Sequence, residues 1–307
     1  MKYTIGIDVG GTNIKAGLVC REKIIEKIIL PTKAKDGPEE CIAQIKSAVQ
    51  HFIDRSSAMG IGIAGIIDSK NGVVKYSPNL RGWRDIELTK ILNQIFKRPV
   101  KIINDVNAIL LGEWIYGAAK GYKNVFLFTL GTGIGGAAIC EGKLLFGANG
   151  FAGEFGHTVI NFNGPECLCG SSGCLERYVG ARYIVELAWN KIKKSVSNLK
   201  KYNLLTPKLI AEEAKKGDRV ALTVFNEIGY YLGVGVSNVI NLFDPELVII
   251  SGGIARAGKI LFEPIRKTVA ERVLGSEYRR IKIVPAKLGD KGGILGAAYF
   301  VRIKKFS

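Results

Sequence analysis

The sequence predicts an α/β protein made of two similar domains. Three observations carry this. A buried-strand pattern runs into a glycine turn and then a second strand twice, first as YTIGIDV (3–9) with Gly10-Gly11-Thr12-Asn13, then as VFLFTL (125–130) with Gly131-Thr132-Gly133-Ile134-Gly135-Gly136. Apolar runs of strand length alternate with segments whose apolar residues recur at helical spacing. A chain of 307 residues also has material for two domains of ordinary size, each with its own core.

Composition narrows the class. The hydrophobic share of 47% and charged share of 23% are those of a soluble globular protein. The 38 glycines cluster in motifs rather than linkers. MKYTIGIDVGGT enters a strand at once, which argues against a signal peptide, and no apolar run reaches the ~18 residues of a spanning helix. The expectation is a cytoplasmic protein with reduced thiols and no membrane partner. The net charge of +17 is spread over short pairs such as Lys193-Lys194, Lys200-Lys201, Lys215-Lys216 and Lys304-Lys305. That distribution describes a solvated basic surface and no specific nucleic-acid partner.

In chain order, strands are expected at 3–9, near 16–20 and near 24–30. The first turn offers consecutive backbone N–H groups with no side chain in the way, plus Thr12 and Lys15, which suits a phosphate cradle. Asp8, at the strand end, could hold magnesium through water. A plain hairpin turn accounts for the same residues. Ile42, Ile45, Val49, Phe52 and Ile53 predict a helix over 39–53 that includes His51. A strand at 58–64 ends at Gly65, and the loop SPNLRGW (77–83), carrying Asn79 and Trp83, has the composition of a ligand loop or a structural turn. Strand 99–103 meets Asn104-Asp105 and a helix over 106–119. Asp105 reads either as a helix N-cap, which the pattern alone favours, or as a carboxylate at the C-terminal end of a strand, where α/β sites collect. The second glycine turn repeats the first in kind, so the two together suggest a duplicated grip on a polyphosphate.

The stretch from Gly153 to Glu176, GEFGHTVINFNGPECLCGSSGCLE, holds His157, Cys167, Cys169 and Cys174. Three thiolates and one imidazole make a closed tetrahedral zinc set of the structural kind. Free cysteines in a turn, or a disulfide, are the alternatives. Glu154 and Glu176 bracket this loop as acceptors for a polar ligand. Helices follow over 176–194 and 218–243, where Gly229, Gly233 and Gly235 permit close packing. Strand 247–251 leads through Gly252-Gly253 into a helix from about 257, an arrangement that invites a nucleotide. Strand 281–284 and a last helix at 294–303, opened by Gly292-Gly293, complete the chain. The division expected is an N-terminal domain of 1–106 plus 292–307 and a C-terminal domain of 107–291.

IGIDVGGTNIK, Asn104-Asp105, LGTGIGG, GEFGH, CLCGSSGCLE and IISGGI, in this order over nearly the whole chain, resemble the sugar kinases and repressors of the ROK family. The resemblance implies the actin-like ATPase (ribonuclease-H-like) fold, with ATP in the cleft of two α/β domains. It implies that Asp105 is the general base for a sugar hydroxyl attacking the γ-phosphate. Gly65, Asn79, Asn104, Asp105, Glu154, His157 and Glu176 would bind the sugar. Asp8, Gly10, Gly11, Thr12, Lys15, Thr132, Gly133 and Gly253 would line ATP and its Mg2+. His157, Cys167, Cys169 and Cys174 would hold a structural zinc, with the second ring nitrogen of His157 turned to the sugar. Ala137 departs from the further glycine that many members carry after LGTGIGG. SPNLRGW is similar to the loop of the family's glucokinases, which implies glucose phosphorylated at its 6-hydroxyl; an N-acetylmannosamine or N-acetylglucosamine kinase is the alternative. The family's repressors carry a helix-turn-helix before the first phosphate turn, where this sequence shows only seven residues ahead of Asp8. A dimer or tetramer is the assembly the family suggests.

Overall fold

The computed structural model describes residues 3–303, so the pair Lys304-Lys305 lies outside the described residues. The elements run β1 (Tyr3–Val9), β2 (Asn13–Cys20), β3 (Lys23–Pro31), α1 (Pro38–Val49), β4 (Ser56–Ile63), β5 (Ile66–Asp68), β6 (Val73–Tyr76), β7 (Arg84–Ile86), α2 (Leu88–Phe96), β8 (Val100–Asn104) and α3 (Asp105–Tyr116). They continue β9 (Val125–Leu130), β10 (Ile134–Cys140), β11 (Lys143–Leu144), α4 (Glu176–Val179), α5 (Ala181–Ile192), α6 (Pro207–Lys215), α7 (Arg219–Phe243), β12 (Leu247–Ser251), α8 (Lys259–Arg272), β13 (Lys282–Pro285) and α9 (Gly292–Phe300). Short 3-10 turns lie between several of these.

The chain divides into two compact units, residues 1–121, 142–152 and 287–307 in the first and 122–141 and 153–286 in the second. The first unit takes in the whole helix from Asp105, whose residues from 107 onward the sequence division assigns to the other domain. The reason is close packing. A Cβ on Gly296 would fall 1.7 Å from the Ala108 carbonyl oxygen, and one on Gly112 would fall 2.3 Å from that of Gly292, so α3 and α9 touch backbone to backbone. Gly296→Ala is therefore expected to lower stability by about 3 kcal/mol, as overpacking does when only backbone can give way; the denaturant midpoint measures it.

In the first unit the strand order is β3-β2-β1-β4-β8. β1 pairs antiparallel with β2 and parallel with β4, and β4 is parallel to β8. The second unit repeats this with β10-β9-β12-β13, antiparallel first and parallel after. The duplication expected from the glycine turns is thus a duplication of sheet topology. Both turns close tight hairpins, with Val9 paired to Ile14 and Leu130 to Ile134, so β2 and β10 begin earlier than expected. β5, β6 and β7 form a separate three-stranded sheet that the sequence reading passes over, as it does α2 and α6.

Several expectations are corrected. The helical run 176–194 is broken at Gly180, whose ψ of 148° is extended, into α4 and α5. α1 ends at Val49, and His51 lies beyond it, exposed. Trp83 is only 1% exposed and belongs to the first unit's core with Ile7, Ile61 and Leu88. It holds the 77–83 loop by packing. The glycines of α7 do permit close packing. Gly229 faces Pro264, Gly233 faces Thr268, and Gly235 faces Leu175.

Asp218 caps α7, accepting from the Ala221 amide at 2.9 Å, and also accepts from the Asn198 amide at 2.7 Å and the Ser197 hydroxyl. Burial works to raise its carboxyl, but these hydrogen bonds together outweigh it and hold the pKa below the ordinary 3.8. Asp218→Ala should cost about 2 kcal/mol at neutral pH. Because the folded pKa is the lower one, this stabilisation is present above about pH 3.8 and disappears as pH falls through the folded value. Wild-type and variant unfolding curves should converge there.

Candidate active site

In the first unit three strand ends converge on polar side chains. Asp8 lies near the end of β1, Asn104 ends β8, and Gly65 follows β4. Gly65 has φ +125°, and a Cβ there would meet the Tyr76 carbonyl oxygen at 2.4 Å. Its carbonyl accepts from Asn104 Nδ2 at 3.0 Å. Asn104 Oδ1 accepts from the amides of Val106 (2.9 Å) and Asn107 (3.1 Å). The N-cap of α3 is therefore Asn104. Asp105 stands at the first helical position, half-buried, with its Oδ1 3.0 Å from the Val106 amide. The cap that the pattern assigned to Asp105 is made by its neighbour, and most of the polar capacity of Asn104 is committed to backbone.

Asp8 sits under the first glycine turn with its side chain 17% exposed, its Oδ2 3.8 Å from Lys15 Nζ. Burial raises its carboxyl above the ordinary value, while the Lys15 ammonium pulls it back down. Lys15 also donates to Asp290 Oδ1 at 3.4 Å. The backbone of Gly293 presses on Asp8 from behind, since a Cβ there would lie 2.9 Å from Asp8 Cγ. Sequence reasoning missed Asp290, which is remote in sequence and has no motif of its own, and read Gly293 only as part of the pair that opens the last helix.

Gly10, Gly11 and Thr12 form the turn. Thr32, fully buried, ties the next loop to it, its Oγ1 donating to the Gly10 carbonyl at 2.6 Å and its amide to that of Thr12 at 2.9 Å. A cavity of about 700 Å³ opens beside the turn, lined by Gly11, Thr12 and Asn79 and by Lys33, Lys35 and Arg81. Asn79 lies against Gly11, and the Arg81 amide donates to Ala34 O at 2.8 Å. The three basic residues were not singled out from sequence, where the only signal was the basic character of TKAK and LRG.

In the second unit the GEFGH turn is fixed by aromatics. The Phe155 ring stands edge-on to Phe126 at 4.3 Å between centroids and at 5.9 Å from Phe243. A Cβ on Gly156 would lie 2.2 Å from the Ile134 carbonyl oxygen, so the turn is pinned to β10. Glu154 and His157 are thereby held at the two ends of one short turn. By surface area Glu154 is exposed, yet the protein around it desolvates the carboxyl enough to raise its pKa, with His157 opposing and Glu176 reinforcing. Glu176 Oε2 accepts the Ile134 amide at 2.8 Å, and a Cβ on Gly133 would fall 2.3 Å from that oxygen. Glu176 therefore braces the second glycine turn, where Thr132 and Gly133 sit. Gly252 packs on the Leu130 carbonyl, which brings the Gly252-Gly253 turn beside the second glycine turn.

His157, Cys167, Cys169 and Cys174 come together with one ligand atom of each within 4.8 Å of every other. Cys169 and Cys174 Sγ are 3.6 Å apart, and Cys167 Sγ is 3.9 Å from His157 Nδ1. A tetrahedral zinc with bonds of about 2.3 Å to sulfur and 2.0 Å to nitrogen needs separations of about 3.6–3.8 Å. The donor set fits the metal. The disulfide alternative does not hold, because all the cysteines are free. No helix among the described residues is long and apolar enough to cross a membrane.

The model of the ROK family matches residues 4–304. A glucokinase of Thermotoga maritima is 38% identical over 97% of this chain and 96% of its own. A solved ROK family glucokinase of Streptomyces griseus, in complex with glucose and AMPPNP, is 36% identical with a TM-score of 0.87, covering 98% of this chain and 99% of that one. A xylose repressor of Bacillus spizizenii is 34% identical over 97% of this chain but 77% of its own length.

Proposed function

The chain belongs to the ROK family, whose structures share the actin-like sugar-kinase fold, and from that premise we propose that it is an ATP-dependent glucokinase, transferring the γ-phosphate to the 6-hydroxyl of glucose. The observation that carries this is likeness end to end. Glucokinases match over nearly their full length, one of them solved with glucose and AMPPNP. Fold alone does not separate kinase from repressor, so the chemistry rests on side chains.

Asp105, at the C-terminal end of β8 and with the capping duty taken by Asn104, is the carboxylate that accepts the proton of the sugar hydroxyl. In a loose phosphoryl transfer the base need only be well placed and ionised. Gly65, Asn79, Asn104, Glu154, His157 and Glu176 are the residues assigned here to hydrogen-bonding the sugar, each by its match to the family's motif. Gly10, Gly11 and Thr12 offer backbone N–H groups to the phosphates, Lys15 adds a positive charge, and Thr132, Gly133 and Gly253 serve the nucleotide. Asp8, a desolvated carboxylate, suits a hydrated magnesium. When bound, Mg2+ neutralises charge on the transferring phosphates. Cys167, Cys169, Cys174 and His157 would hold a structural zinc, and a ring nitrogen of His157 not taken by the metal would be free to meet the sugar.

The test is ADP release with ATP, Mg2+ and a hexose panel. Glucose is expected to be preferred over mannose, fructose, N-acetylglucosamine and N-acetylmannosamine. Preference for an N-acetyl sugar would overturn the assignment of the 77–83 loop, and no turnover with any sugar would favour a sensor. Glu154→Ala should raise the KM for glucose about tenfold or more with the KM for ATP nearly unchanged. Equal losses would mean the pocket is misassigned.

A further inference from the structure

We infer that Glu113 is a positioning residue for the phosphate end of the site, holding the segment that carries Asp290 and Gly293 in place against Asp8; this rests on the ATP-kinase reading above. Glu113 is fully buried near the C-terminal end of α3. A negative charge is unwelcome there on helix grounds, because it faces the negative end of the helix dipole, and burial adds a desolvation cost. Helix stability does not account for it.

Its hydrogen bonds do. Oε2 accepts the Ala118 amide at 2.8 Å, and Oε1 accepts the Leu288 amide at 2.7 Å. The carboxylate thus ties the helix that begins at Asp105 to a loop 175 residues away. Charge-assisted bonds of this length are strong and directional. Leu288 stands two residues before Asp290, whose carboxylate is 3.4 Å from Lys15 Nζ. Lys15 is in turn 3.8 Å from Asp8. Five residues beyond Leu288, Gly293 backs directly onto Asp8. One buried side chain therefore sets the start of a short segment whose next two contacts define the surroundings of Asp8 and Lys15.

Glu113→Gln tests this with almost no change of volume. It keeps one acceptor oxygen and turns an NH2 group against the other N–H. The expected result is a rise of about fivefold or more in the KM for Mg·ATP with the KM for glucose within about twofold. A lower Tm with both KM values unchanged, or both raised together, would overturn the inference, since a merely structural tie moves them alike or not at all. If the variant does not fold, amide exchange in the wild-type protein decides. Residues 288–293 should gain protection when Mg·AMPPNP is added, and unchanged protection overturns the inference. Absence of ATP-dependent turnover in the wild type would sink the functional reading itself, whereas an active wild type without the KM split sinks only the role of Glu113.

Discussion

Asp105→Asn is expected to lower kcat by about a thousandfold while leaving the KM for glucose within about threefold, the signature of losing a general base and little else. The substitution is clean because of its neighbour. Asn104 supplies the cap of α3 through the Val106 and Asn107 amides, so the helix does not depend on the charge of Asp105. The Oδ1 of an asparagine at 105 can still meet the Val106 amide, which Asp105 now meets at 3.0 Å. Fold and pocket should survive, and unfolding curves of variant and wild type should nearly superimpose. A kcat close to normal would remove Asp105 from the chemistry.

Cys169→Ser should abolish zinc binding and lower Tm by about 10 °C, the scale of losing several kcal/mol of metal-linked folding energy. Apart from the metal the loop is held by turns, such as the Cys167 amide on the Ser171 carbonyl at 2.7 Å and the Ile160 amide on that of Gly173 at 2.9 Å, and not by regular structure. Leu168 and Phe162 are 80% and 84% exposed, and the regular pairing within it is limited to two bridges, Val159 with Cys174 and Glu166 with Ser172. Losing one ligand leaves three, with the remaining thiolates crowded around no cation. His157 then loses its anchor, and weaker glucose binding should accompany the loss of metal. A chelator should reproduce both effects in the wild type. A folded, zinc-free variant with an unchanged Tm would contradict a structural metal.

Much of the fold was legible because its signals are local. The two strand–turn–strand repeats, the apolar runs of β9 and β12, and the long apolar face of α7 announce themselves within a few residues. The Cys/His set was legible because ligand chemistry restricts the residue types and the glycines mark the turns. What stayed hidden depends on contacts across the chain. Nothing near Asn104 says that it caps the helix and Asp105 does not, because both can; the backbone decides, with Asn104 still non-helical at ψ 143° and the helix starting at Asp105. Trp83 lies in a loop of polar composition, yet its ring is in the core. β5, β6 and β7 are three or four residues each, too short for a periodic signal. Glycines 112, 292 and 296 put α3 in the first unit by allowing backbone contact, which sequence spacing does not display. Glu176 reads as a sugar ligand from its motif, while its bond to the Ile134 amide adds a duty that only the fold reveals.

The most direct test of the central claim is the identity of the product. ADP formed from ATP and glucose should be matched one for one by hexose phosphate that glucose-6-phosphate dehydrogenase oxidises at once. ADP without that product, or glucose phosphorylated at another hydroxyl, would contradict transfer to the 6-position.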